Sequence, residues 1–120
     1  MVYDIDSPKY DHPELNARIE VFCMRYRLPL SCTHSLQLAV EELLNLIPLD
    51  EGVSLLISKS DKTLEVEAVL PQTVHPYLSP EYIKDDLSYS ILTGLCEKIE
   101  ESANEKNETV IRMIISQNTI

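Results

Sequence analysis

Glu41 and Asn45 come nearest, by type and spacing, to a pair of residues that could do chemistry. They stand four apart in Val40-Glu41-Glu42-Leu43-Leu44-Asn45, so on a helix they share one face. A carboxylate and an amide placed together supply hard oxygen ligands, which can hold a hydrated Mg²⁺ or orient a water. A solvated polar pair on a helix surface has the same spacing, and the motif alone does not choose between the two.

The other reactive side chains are scattered. His12, His34 and His75 lie in separate segments without partners at metal-ligand spacing, so they read as surface or capping histidines rather than a zinc site. Cys23, Cys32 and Cys96 form no Cys-x-x-Cys pair. Their odd number, and an opening MVYDIDSPKY with neither the basic nor the apolar region of a secretory signal, lead us to expect reduced thiols in a cytoplasmic protein. Cys32 lies near a helix start, where a thiol is either acidified or simply a small buried residue. Ser35 and Ser88 lack the glycine-flanked strand–turn–helix setting of a hydrolase nucleophile. Tyr77, Tyr82 and Tyr89 surround a proline-bearing segment. There they either cover the edge of the core or form an interaction patch.

Composition narrows the chemistry further. Ten Lys and Arg against twenty Asp and Glu give a net charge of −10. That balance argues against nucleic acid, whose phosphates need clustered cations, and against an anionic membrane surface. No run of apolar residues is long enough to insert across a membrane. Gly52 and Gly94 are the only two glycines. Two isolated glycines cannot build a P-loop, a dinucleotide fingerprint or a kinase glycine-rich lid, each of which crowds backbone amides around phosphate.

The elements that must position these residues follow from periodicity. Residues 2–6 alternate as a short edge strand. From Glu14, the apolar positions Leu15, Ile19, Phe22, Cys23 and Tyr26 recur at helical spacing, with Pro13 at the start and Pro29 as a stop. A second helix, capped by Ser31 or Thr33, carries the wide stripe Leu36, Ala39, Val40, Leu43, Leu44 and Ile47, and so is central. After Gly52 the period falls to two. Residues 53–59 and 63–70 form a hairpin with one wet face. A loop spans 71–84. A third helix runs from Asp85 or Asp86 to about Ser102, with Leu87, Ile91, Leu92, Leu95 and Ile99 inward and Gly94 as a close-packing point. Residues 103–108 turn the chain, and 109–116 form the last strand. The expected fold is α+β: a two-layer sandwich of about three helices on one face of a mixed, mainly antiparallel sheet of about four strands. Residues 1–120 are one domain.

Arg27-Leu28-Pro29 followed by Leu36 through Asn45 resembles the N-box segment of the GHKL (histidine-kinase-like, Bergerat-fold) ATPases, closest to the anti-sigma-factor serine kinase branch. The order of elements agrees over residues 14–116. Residues 53–70 resemble its central hairpin, 87–100 the helix after its second glycine box, and 109–115 its last strand. The resemblance implies a water- or hydroxyl-activating role for Glu41 and Mg²⁺ ligation by Asn45. The chain then departs from the family. Where the family has Asp-x-Gly-x-Gly, with an aspartate that reads adenine, this chain has Val69-Leu70-Pro71-Gln72-Thr73-Val74. Where the family wraps phosphates in glycines, it has Lys84-Asp85-Asp86-Leu87-Ser88-Tyr89-Ser90. Two carboxylates there would repel a triphosphate.

Phosphoryl transfer is mostly positioning and charge stabilisation, so a site without those parts should not perform it. The expectation is a degenerate, non-catalytic member of the fold. Glu41 and Asn45 are then vestigial, no cofactor is bound, and Tyr77, Tyr82 and Tyr89 are candidates for contact with a protein partner. The alternative is a divergent ATP- and Mg²⁺-dependent serine kinase, and a third option is a small-ligand receptor lined by Leu70, Val74 and Tyr77. The stretches Tyr10 to Asn16 and His34 to Leu38 also look similar to a degenerate GHKL-like domain at the end of some bacterial ABC transporter ATPase subunits. That likeness implies a piece of a longer protein with a regulatory or docking role. Relatives in the anti-sigma branch pair through N-terminal parts, which makes a homodimer through residues 2–6 an expectation too.

Overall fold

The first helix, α1 (His12–Arg25), is set by its caps. Asp11 accepts from the Glu14 amide at 3.0 Å, and Pro13 occupies the first turn, where its missing N–H costs nothing. At the far end Arg27 turns left-handed, with φ 55°. The Leu28 amide donates to the Cys23 carbonyl and the Arg27 amide to the Met24 carbonyl, each at 3.0 Å. That is a Schellman ending with arginine where glycine is usual. The second helix, α2 (Leu30–Leu44), begins on Pro29 with no side-chain cap. The expected caps, Ser31 and Thr33, lie inside its first turn instead, because Pro29 already supplies the extended backbone that starts a helix. The helix also stops short of the expected end. Asn45 is its C-cap, and Leu46 and Ile47 reach the core from the segment beyond it.

A computed structural model describes residues 1–71, 76–83 and 85–116. Its remaining elements are β1 (Val2–Ile5), β2 (Val53–Lys59), β3 (Thr63–Leu70), α3 (Asp86–Leu95), β4 (Lys98–Ala103) and β5 (Thr109–Ser116). They form an α+β sandwich. Five strands lie in the order β1-β2-β3-β5-β4, and every neighbouring pair is antiparallel. The inward row Ile57, Val66 and Met113 and the row Tyr3, Leu55, Ala68 and Ile111 share one core with Leu15 and Ile19 of α1, Leu36 and Leu43 of α2, and Leu92 of α3. The three helices therefore cover one face of the sheet. The other face carries Glu65, Glu67, Arg112 and Glu100, as the two-residue period predicts. On it Arg112 pairs with Glu65, and Glu100 lies 2.7 Å from Lys98 and 3.7 Å from Arg112.

The main correction concerns residues 85–102. The helix ends at Leu95, and Cys96 turns extended, with φ −109° and ψ 137°. Lys98–Ala103 is a fifth strand, paired with β5 in the register Ile99 to Met113 and Glu101 to Ile111. Ile99 fits a helical stripe and a strand equally well. What decides is the hairpin that follows: Asn104 accepts from the Lys106 and Glu108 amides at 3.0 Å, and Asn107 takes φ 61°. Asparagine tolerates that conformation. β4 is an edge strand, and it carries Lys98, Glu100 and Glu101, the kind of charge that blunts edge-to-edge pairing. The inner face of α3 also differs. Leu87 is 70% exposed while Ser88 and Leu92 are buried. Gly94 has no heavy atom within 4 Å of where a Cβ would stand, so it is not a close-packing point. Gly52, at φ 95°, makes the expected turn into β2.

Candidate functional site

Glu41 lies in the last turn of α2 and Asn45 caps it, and both side chains are exposed. The Asn45 amide donates to the Glu41 carbonyl at 3.2 Å, so the helix carries them past one another on one face as the spacing requires. The structure places them differently towards their surroundings. Glu41 lines a cleft of about 390 Å³ between the start of α1 and α2, whereas Asn45 is not among its walls. Tyr10 and His12 form one side of this cleft, with ring centroids 4.1 Å apart and planes tilted by 38°. Burial, and then the nearby Glu41 carboxylate, push the Tyr10 phenol up to about 12. Among the described residues no group of three or more His, Cys, Asp or Glu is placed to hold a metal ion.

The start of α3 is the second landmark. Asp85 Oδ1 accepts from the Leu87 amide at 3.0 Å and the Ser88 amide at 3.1 Å. The partial positive charge of the helix start is thus answered by the chain's own carboxylate. Asp86 adds a second carboxylate in the first turn. An anion arriving here would have to displace one carboxylate and lie beside another.

Residues 76–83 approach the core from the side of β4. Glu101 faces inward there and holds them: its carboxylate accepts from the Tyr77 amide at 2.7 Å and the Leu78 amide at 3.0 Å. The three tyrosines differ in exposure. Tyr77 is buried, at 9% exposure, Tyr89 is half-buried against the core, and Tyr82 is 46% exposed. Tyr77 covers the core edge, which leaves Tyr82 as the exposed aromatic of the three. Leu70 is buried as well, and neither Leu70 nor Tyr77 lines a cleft described here. Val74, Gln72, Thr73, His75 and Lys84 lie outside the described residues.

The thiols are not activated. Cys23 and Cys32 are buried and Cys96 half-buried, and all three are free. Burial pushes each thiol up, Cys96 to about 11. For Cys32 burial outweighs any acidifying effect of the helix start. His12 and His34 are exposed.

Sequence reading missed a third surface. The outward side of α1 carries Arg18 and Arg25, two helical turns apart. They flank Val21 and Tyr26 in a cleft of about 500 Å³ that Met1, Ala17, Phe22 and one carboxylate, Glu14, also line. Arg18 donates to the Val2 carbonyl at 3.2 Å and stacks over the Tyr3 ring at 5.3 Å. Among the described residues, no carboxylate lies within 4.0 Å of either guanidinium. Met24 beside them is 74% exposed. On a chain of net charge −10 this cationic, apolar strip is the exception. The signal was present as apolar Val21 and Met24 outside the buried stripe.

A scan against protein-family models finds no match for this chain, and a search of the curated proteins finds none. The geometry offers a carboxylate in a cleft with two aromatic rings, a helix start capped by Asp85, and a cleft on α1 flanked by two arginines. Among the described residues no helix is long and apolar enough to cross a membrane.

Proposed function

We propose that this chain is a non-catalytic regulatory or protein-interaction domain. Its scaffold is that of the GHKL ATPases in degenerate form, near the anti-sigma serine kinase branch. It is accessory to a larger bacterial assembly such as an ABC transporter ATPase subunit. The observation that carries this reading is the Asp85 carboxylate bonded to the first amides of α3, at 3.0 and 3.1 Å. A nucleotide site needs those amides and a glycine-rich approach to them. Here the Leu87 and Ser88 amides are bonded to the Asp85 carboxylate, and Asp85 and Asp86 stand where the approach would need glycines. Support also comes from three helices layered on one sheet face, α1 and α2 before the hairpin and α3 after it, while strand β4 is an addition to the order the resemblance implies.

Titration calorimetry with Mg-ATP is expected to give no binding heat, and a thermal-shift scan no stabilisation. Binding at micromolar levels, about −8 kcal/mol, would overturn the reading. It would favour the second one, a divergent ATP-dependent serine kinase, to which the shared face of Glu41 and Asn45 lends support. Under that reading Glu41→Ala abolishes phosphoryl transfer.

The partner surface we assign to this domain is the α1 cleft. Charge complementarity selects its occupant: an acidic amphipathic helix of a protein partner, with two carboxylates for Arg18 and Arg25 and an apolar side chain over Val21. Complementary charges across an interface fix register and steer association. A labelled helical peptide with two glutamates seven residues apart around a leucine should bind, and binding should weaken with salt. Arg25→Glu should weaken it and Arg18→Glu/Arg25→Glu should cost at least about tenfold more. Equal affinity for wild type and the double reversal would rule this surface out. Pairing of two copies through edge strand β1 belongs to the same reading, although Arg18 already covers the Val2 carbonyl on that edge.

A further inference from the structure

The cleft that Glu41 lines has no role in the interaction surface just described, and its walls have a distinct chemistry. Its volume is about 390 Å³, within the range of sites that enclose small ligands. One wall is a carboxylate, and no lysine or arginine lines it. A second wall is the tilted Tyr10–His12 pair, with centroids 4.1 Å apart. A third is amide: Gln37 commits its Nε2 to the Asn16 carbonyl at 3.1 Å, which leaves Oε1 to accept. Leu15 and Val40 supply apolar surface between them.

We propose that this cleft binds an alkylammonium group, with Glu41 as counter-ion, the Tyr10 ring as a cation–π face and Gln37 Oε1 as a further acceptor. Each part fits one property of that ligand. An ammonium carries three donors and no acceptor, so a carboxylate and an amide oxygen suit it. Its charge is attracted to an aromatic face. Its alkyl stem lies along Leu15 and Val40 while the head stays near solvent. An anion is excluded by Glu41, and a neutral ligand would leave that carboxylate without its opposite charge. The net charge of −10 concentrates cations around the molecule. The ammonium comes either from a free amine or from a lysine side chain of another protein, because both present the same head and stem. The inference does not depend on whether nucleotide binding has been lost.

The test is NMR titration of the Tyr10 and His12 ring signals with n-butylammonium chloride, against sodium chloride at equal ionic strength. The second arm uses the blocked tripeptide acetyl-Ala-Lys-Ala-amide. Saturable ring shifts in the millimolar range are expected, unmatched by sodium chloride. Glu41→Gln keeps the shape of an exposed side chain and should weaken binding at least about tenfold, since the charge-assisted bond is lost. Tyr10→Phe keeps a ring face and should bind within about threefold of wild type. Tighter binding of the tripeptide assigns the site to lysine side chains, and tighter binding of the amine to free amines. Shifts that do not saturate, that sodium chloride reproduces, or that survive Glu41→Gln unchanged would overturn the proposal.

Discussion

Leu55→Ala is expected to lower the unfolding free energy by about 3 kcal/mol, the cost of a buried leucine truncated in a packed core. Leu55 is 0% exposed and stands on the inward row of β2 between Tyr3 of β1 and Ala68 of β3. Ala68 is small, so the leucine fills the middle of this row and its loss leaves a cavity that the neighbouring strands cannot close. A single domain typically holds only about 5–15 kcal/mol of stability in all, so this one change uses a large part of it. Leu56→Ala is the control. Leu56 is the next residue along the chain, points to the opposite face and is 40% exposed. Its truncation is expected to cost less than about 1 kcal/mol. Urea unfolding of both variants measures the difference. Equal losses would mean that the helices do not cover the face assigned to them.

Glu101→Ala is the second. The Glu101 carboxylate accepts two backbone amides, from Tyr77 and Leu78, at 2.7 and 3.0 Å. Hydrogen bonds to a charged group contribute about 1.5–3 kcal/mol each, and partial exposure of this one discounts the sum, so a loss of about 2 kcal/mol is expected. The local effect should exceed the global one. The Tyr77 and Leu78 amides should exchange with solvent much faster, because the Glu101 carboxylate that accepts from both is gone. Glu101→Gln should fall between, since an amide oxygen can accept while its nitrogen cannot. Unchanged exchange at both amides would show that something else holds residues 76–83.

These two positions also show how differently the sequence speaks of its own fold. The strand beside Leu55 was legible: residues 63–70 alternate so cleanly that the inward face of β3 follows from polarity, and the structure has it. Leu55 stands next to Leu56, and its pairing with Ala68 decides which of the two faces the core. Glu101 was not legible. Ile99 continues the apolar spacing of α3, so periodicity carries the helix on to about residue 102 and takes Glu101 with it. An edge strand such as β4 is buried on little of its surface and needs no strong alternation. Its identity comes from pairing with β5, a contact that no local pattern encodes.

The candidate site divides the same way. Spacing placed Glu41 and Asn45 on one helical face, and composition removed the glycine loops. The neighbours of Glu41 were invisible, because Tyr10 and His12 share its cleft only when α1 packs beside α2. The acidic start of α3 was plain in Asp85-Asp86, yet only the folded backbone closes Asp85 onto the amides of Leu87 and Ser88.

By itself, then, the sequence determined the class of the fold, the inward faces of α1, α2 and β3, and the lack of a glycine phosphate cradle. Those properties depend on residue type and period, which are local. Tertiary structure decided the fifth strand, the Glu101 anchor, the burial of Tyr77 and the basic cleft on α1. Each joins residues far apart in the chain, and each required the packed core to bring them together.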